Sequence, residues 1–133
     1  MSCRDDLPGD TQIIEIHDWI AAEYELKHTG SRVPVPGLRL REDVLEPVAE
    51  EDGTFYLAAG LLRKTITAHV FEDANKRTAW TVTVLYLEDH GAEPADRDTE
   101  RGERVLKRVR RYDIEEIAEW LATGEIDEDR LNP

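Results

Sequence analysis

Thr78-Ala79-Trp80-Thr81-Val82-Thr83-Val84-Leu85-Tyr86-Leu87 admits two architectures. Rich in β-branched and aromatic side chains, it could by itself be a buried strand. Its length, and the Glu88-Asp89-His90-Gly91 that follows as a helix C-terminus, favour a central buried helix with apolar residues all round. The neighbouring segments agree with a helix. Upstream, Phe55 to about Ala68 carries Leu57, Gly60, Leu61, Lys64, Thr65 and Ala68 at helical spacing, after a Glu51-Asp52-Gly53 turn. Asp10 or Thr11 caps a first helix reaching about Lys27, with Ile13, Ile14, His17, Ile20, Ala21 and Tyr24 on one stripe. Thr29-Gly30-Ser31 ends it, and Pro34-Val35-Pro36-Gly37 is a connecting loop. A short helix covers Arg41 to Glu50, with Pro47 kinking it or ending it early. Downstream, Asp98 or Thr99 opens a helix to about Arg111, weakened by Gly102. Asp113 with Glu116 makes a capping-box start for a last helix, Ile114 to Ala122, closed by Gly124. With no hairpin signal, the chain reads as all-α and bundle-like.

Composition narrows the function. The 133 residues suit a single domain over 1–133, and 40% hydrophobic residues suffice for one core. With 17 Lys+Arg against 30 Asp+Glu, the net charge is −13. A phosphate backbone is repelled at long range by that field, so no direct nucleic-acid binding is expected. Cys3 alone forms no internal disulfide, and no Cys/His cluster has metal-ligand spacing. Apolar runs fall short of the roughly 18 residues of a membrane span, and MSCRDDLPGD carries no signal-peptide core. The expectation is a soluble, cytoplasmic protein with no membrane partner. Arg outnumbers Lys by 13 to 4, and excess carboxylate with scarce lysine suits concentrated salt, where the Debye length falls to about 3 Å at 1 M.

Chemistry concentrates in His69-Val70-Phe71-Glu72-Asp73-Ala74-Asn75-Lys76-Arg77-Thr78-Ala79, between two apolar helices. The start of the second helix leaves backbone N–H groups unpaired, and these attract anions. Asn75, Lys76 and Arg77 add an amide, a point charge and a bidentate fork, all suited to phosphate oxygens. Asp73 offers the hard carboxylate that Mg²⁺ takes when it also binds nucleotide phosphates. His69 can accept a proton near neutral pH. Together these are the parts for phosphoryl or nucleotidyl transfer.

HVFEDANKRTA at 69–79 resembles the signature of the Fic/Doc superfamily, H-x-F-x-[DE]-[AG]-N-[GK]-R, and within it the Doc (death-on-curing) branch. The resemblance extends over about residues 11–122, specific in the motif and weak in the flanks. It implies a compact helical bundle with the motif loop at the N-terminus of a central helix. It also implies His69 as general base, Phe71 as a buried anchor of the loop, and Asp73 as the Mg²⁺ ligand. Asn75, Lys76 and Arg77 would bind the phosphates of ATP, the co-substrate.

Fic enzymes that transfer AMP usually have Gly where Lys76 stands, and a second Arg where Trp80 stands. Both departures favour the Doc reaction, in which the γ-phosphate of ATP passes to a Thr of a translation elongation GTPase and translation stops. An AMP transferase and a catalytically silent antitoxin-binding module are the alternatives. The inhibitory pattern [ST]-x-x-x-E-[GN] is approached at Thr99-Glu100-Arg101-Gly102-Glu103 but fails at Arg104. Its absence fits a toxin restrained by a separate Phd-type antitoxin whose disordered tail folds on binding.

Outside the motif, the residues have plainer readings. His17 reads as helix face, His90 as helix end and His28 as exposed, while Trp80, Val82, Leu85 and Tyr86 read as core. The run Arg101, Arg104, Lys107, Arg108, Arg110, Arg111 is a cationic helix C-terminus paired with Glu100 and Glu103, or a docking surface for an acidic partner. Glu51–Tyr56 stands where the superfamily often has a target-positioning flap.

Overall fold

The computed structural model describes residues 7–25 and 30–132. The main elements are α1 (Asp10–Glu23), α2 (Pro36–Leu40), α3 (Glu46–Val48), α4 (Thr54–Ala68), α5 (Asn75–Asp89), α6 (Thr99–Lys107) and α7 (Ile114–Thr123). Short 3-10 turns cover Val109–Arg111 and Glu128–Leu131. Among the described residues the one extended pairing is an isolated bridge between Ser31 and Phe71. The fold is an all-α bundle, and the ambiguous Thr78–Leu87 stretch is helical within α5.

α4 is the hub. It packs on α5 and α7, and α5 packs in turn on α1. Leu57, Leu61 and Leu62 of α4 are wholly buried, as are Ile13 of α1, Leu87 of α5 and Ile117 of α7. Each such side chain contributes roughly 1.5–3 kcal/mol relative to exposure. A Cβ on Gly60 would meet Val48 Cγ2 at 3.0 Å, so the glycine lets α3 cross α4 closely.

α5 is less enclosed than its sequence suggests. Ala79, Val82, Tyr86 and Leu87 are buried, and the Thr83 hydroxyl donates to Ala79 O at 2.7 Å, which satisfies it inside the helix. Trp80 is only half-buried and Leu85 is 44% exposed. Of the expected core group, Val82 and Tyr86 belong to the core, while Leu85 faces away from α1 and α4.

Three helix ends differ in detail from expectation. α1 starts one residue early, on Gly9, whose N–H donates to Gln12 Oε1 at 2.9 Å; Asp10 becomes a first-turn acid. Its expected end at Lys27 lies outside the described residues, as do Cys3, His28 and Thr29. The short helix ends at Val48, one residue past Pro47 and short of the expected Glu50. The chain is already helical from Pro36, and a π-helical turn, Arg41–Leu45, lies just upstream of the proline. A proline removes a donor and crowds the preceding turn, and a widened turn absorbs both effects. The third is the segment before α6, where Asp98 caps the helix by accepting from Arg101 N–H, but α6 stops at Lys107 and a 3-10 turn carries the chain to Arg111. α7 has the capping box read from its sequence, with Glu116 N–H on Asp113 Oδ1 at 2.8 Å and Asp113 N–H on Glu116 Oε1 at 3.2 Å. Gly124 closes it at φ 82°.

Candidate active site

The loop from His69 to Ala74 joins α4 to α5 and is bracketed by two non-glycine residues in the left-handed region. His69 has φ 52° and ψ 48°, and Ala74 has φ 64° and ψ 23°. Such residues cost roughly 1–2 kcal/mol each, so other contacts must hold the loop.

Those contacts come from both sides. Arg32 N–H donates to Val70 O at 2.7 Å, and Glu72 N–H donates to Gly30 O at 2.9 Å, lacing the loop to the segment before α2. The Ser31 hydroxyl adds a bond to Val70 O at 3.2 Å. Inside the loop, Asn75 Oδ1 accepts from Phe71 N–H at 3.2 Å and its Nδ2 donates to Phe71 O at 2.9 Å. Phe71 is 3% exposed and stacks on the His17 ring, centroids 3.8 Å apart and planes within 6°. His17 Nε2 lies 3.1 Å from Asp73 O; a carbonyl only accepts, so this nitrogen carries the proton. His17 therefore does more than sit on a helix face: buried in α1, it fixes both Phe71 and the backbone at Asp73.

This scaffold places the motif side chains around an open cleft of about 530 Å³ lined by His69, Asp73, Asn75, Lys76 and Arg77. The first helical bond of α5 runs from Thr78 N–H to Ala74 O at 2.9 Å. The N–H groups of Asn75, Lys76 and Arg77 thus have no helical carbonyl and carry the positive end of the helix dipole. Lys76 is exposed at this end. Arg77 lies over the Tyr24 ring, 4.1 Å from its centroid. The Asn75 side chain differs from its expected part: with both ends of its amide bonded to Phe71, it shapes the loop before it can meet a phosphate.

His69 is exposed on the rim. Partial burial, then the charges of Arg32, Arg110 and Lys76, hold its pKa below the ordinary 6.5, with Glu72 pulling the other way. The imidazole is therefore biased towards its neutral, proton-accepting form. Asp73 Oδ1 accepts from Ala74 N–H at 2.7 Å. Among the described residues no three His, Cys, Asp or Glu side chains gather into a metal cage. A single carboxylate beside a phosphate site nevertheless matches the way Mg²⁺ is held jointly by protein and nucleotide.

The structure brings His69, Asp73, Asn75, Lys76 and Arg77 together and places Phe71 beneath them. It also adds Arg32, from the segment before α2, and Lys107 and Arg110, from α6 and the 3-10 turn after it. The Arg-rich run is thereby divided. Arg101 pairs with Asp96 and Glu128 rather than with Glu100 or Glu103, and Arg111 donates to Arg130 O and Asn132 O. His90 is a helix end, with Nδ1 2.8 Å from Tyr86 O. Of the Glu51–Tyr56 segment, Glu51–Gly53 precede α4 and Thr54–Tyr56 form its first turn.

An imidazole on the rim, a carboxylate, and a row of cations and free N–H groups in one cleft are the parts that a phosphate-handling transferase site needs. The chain belongs to the Fic/DOC family, whose model matches residues 9–87, more than half of its length. It is thus a transferase of the Fic type, acting on a protein, with ATP the nucleotide such proteins typically use. Compared with curated proteins individually, the chain matches none. The left-handed φ at Ala74 gives a physical reason for the [AG] choice in the signature, since glycine adopts that conformation without strain. No helix among the described residues is long and apolar enough to cross a membrane.

Proposed function

We propose that this protein is a Doc-type kinase toxin, passing the γ-phosphate of ATP to a hydroxyl, a Thr by analogy, of a translation elongation GTPase in the cytoplasm. The observation that carries this reading is the convergence of His69, Asp73, Lys76 and the unpaired N–H groups of α5 on one cleft. Lys76 in place of a glycine, and Trp80 in place of a second arginine, support phosphate over AMP transfer.

In the reaction, His69 takes the proton from the target hydroxyl as its oxygen attacks the γ-phosphorus. The bond from that phosphorus to the β-phosphate bridging oxygen breaks, and ADP leaves. Lys76 and the N–H groups at the start of α5 hold phosphate oxygens as charge shifts towards the leaving group. Asp73 would hold Mg²⁺, which supplies neutralisation of phosphate charge when bound. Phe71, Asn75 and His17 keep the loop in shape, which sets the position of His69 relative to α5. The lack of a complete [ST]-x-x-x-E-[GN] pattern in the given sequence supports control by a separate Phd-type antitoxin.

The test is intact-protein mass spectrometry of a translation extract incubated with the protein, ATP and Mg²⁺, at low and molar KCl. A phosphate-sized gain on an elongation GTPase, lost in His69→Ala, is the expected result. General-base removal should cost about 10²–10⁴-fold in rate, with the fold intact because the ring is exposed. An AMP-sized gain would replace the kinase by an AMP transferase; no gain at any salt would leave a binding module.

A further inference from the structure

Charge is in short supply on the basic side of this protein, and its distribution is uneven. Among the described residues Arg39, Arg41, Arg97, Arg101 and Arg130 each have a carboxylate within 4.0 Å. Lys76, Lys107 and Arg110 have none, although the chain carries 30 acidic residues for 17 basic ones. All three are exposed and line the His69 cleft. Arg32, Arg63, Lys64, Arg77, Arg104, Arg108 and Arg111 also lack an ion pair among the described residues; of these only Arg77 lines the cleft, and its guanidinium lies over the Tyr24 ring.

Lys107 and Arg110 come from a different element than the motif. Val105 and Val109 are buried, which fixes the face that α6 and its 3-10 turn show the core. Asp96 ties the start of α6 to α7, accepting from Trp120 Nε1 at 2.9 Å and lying 3.6 Å from Arg101 Nη1. Lys107 and Arg110 line the same cleft as the start of α5. A helix C-terminus accounts for a cation at Lys107, but it does not account for Arg110 beyond the helix, close enough to His69 to disfavour its protonation. Both residues lie outside the segment matched by the family model, 9–87.

We infer that Lys107 and Arg110 form a second cationic wall of the cleft and bind the outer phosphates of the nucleotide opposite Lys76. The inference rests on the nucleotide-transfer reading above. Cations left unpaired in an excess of carboxylate retain their full charge for an anionic ligand. A triphosphate is the ligand already required beside His69, and Arg110 can engage two of its oxygens at once.

Titration calorimetry of the full chain with ATP, ADP and AMP, each with Mg²⁺, tests this. Lys107→Ala and Arg110→Ala should each weaken ATP about tenfold, the scale of one charge-assisted hydrogen bond, and AMP less than twofold. Arg104→Ala, on the same helix but outside the cleft, should leave ATP binding unchanged. Unaltered ATP affinity in both cleft variants overturns the inference while the nucleotide reading stands, as does an equal loss in Arg104→Ala. If target modification at saturating ATP falls and ATP affinity does not, the cations serve the protein substrate and the inference is likewise overturned. A wild-type chain that binds no adenine nucleotide removes the reading on which the inference depends.

Discussion

The two walls of the cleft are held by different forces. On one side, the loop at 69–74 is fixed by backbone hydrogen bonds, by the buried Asn75 amide and by the His17–Phe71 stack. None of these contacts uses a net charge. On the other side, α6 is tied through Arg101 by ion pairs to Asp96, whose carboxylate is largely enclosed, and to the exposed Glu128. The first wall is built for fixed geometry at His69, while the second depends on the ionic surroundings. Added salt should weaken the second wall more than the first, on which His69 stands.

The largest expected effect breaks the first wall. Asn75→Ala leaves Phe71 N–H and C=O without their partner inside a buried loop, and each unsatisfied group costs about 1–3 kcal/mol. The overall loss should be about 2–4 kcal/mol by denaturant unfolding, and the same in dilute buffer and in 1 M KCl. A loss below about 0.5 kcal/mol would mean that the 30–32 segment alone holds the loop.

A smaller effect is expected on the second wall. Asp96→Asn keeps an acceptor for Trp120 Nε1 and removes the charge facing Arg101. Its cost should be about 1 kcal/mol at low ionic strength, and should fall only in part at 1 M KCl, because the Asp96 carboxylate is largely enclosed. Equal salt dependence in Asn75→Ala and Asp96→Asn would erase the distinction between the walls.

This distinction also marks what could be read from the sequence. Local signals carried most of the fold: the Asp113/Glu116 capping box, the glycine after α7, and the length of the apolar run in α5. The motif residues were legible because they lie within nine positions of one another. What was hidden is non-local. His17 and Asp73 are 56 residues apart, and no periodicity in α1 signals that its one buried histidine stacks on the motif phenylalanine. Arg32, Lys107 and Arg110 come to the neighbourhood of His69 from separate segments, and the Arg-rich run looked uniform until α6 ended at Lys107, leaving Arg110 in the cleft and Arg111 on Arg130 O and Asn132 O. Pro47 acted on the turn before it, which a residue-by-residue breaker rule does not register.

The smallest effect bridges the two walls through His69. Its pKa is lowered by partial burial and by Arg32, Arg110 and Lys76, so the neutral base persists to a pH below its ordinary 6.5. A general base works only when deprotonated, so the acidic limb of the pH–rate profile should lie below that value. Removing a cation relieves the repulsion felt by the imidazolium. Arg110→Ala should therefore move the acidic limb to higher pH, and Arg32→Ala should do the same. Both shifts should shrink in 1 M KCl, because all these groups are exposed and screened. The profile is best measured at saturating ATP, so that lost nucleotide affinity in Arg110→Ala does not enter the rate. If neither variant moves the limb, either His69 is not the group that limits the rate at low pH or the cations act on the nucleotide alone. Arg110→Lys is the control for charge: it should hold the limb in place where Arg110→Ala moves it, whatever it does to the binding of phosphate.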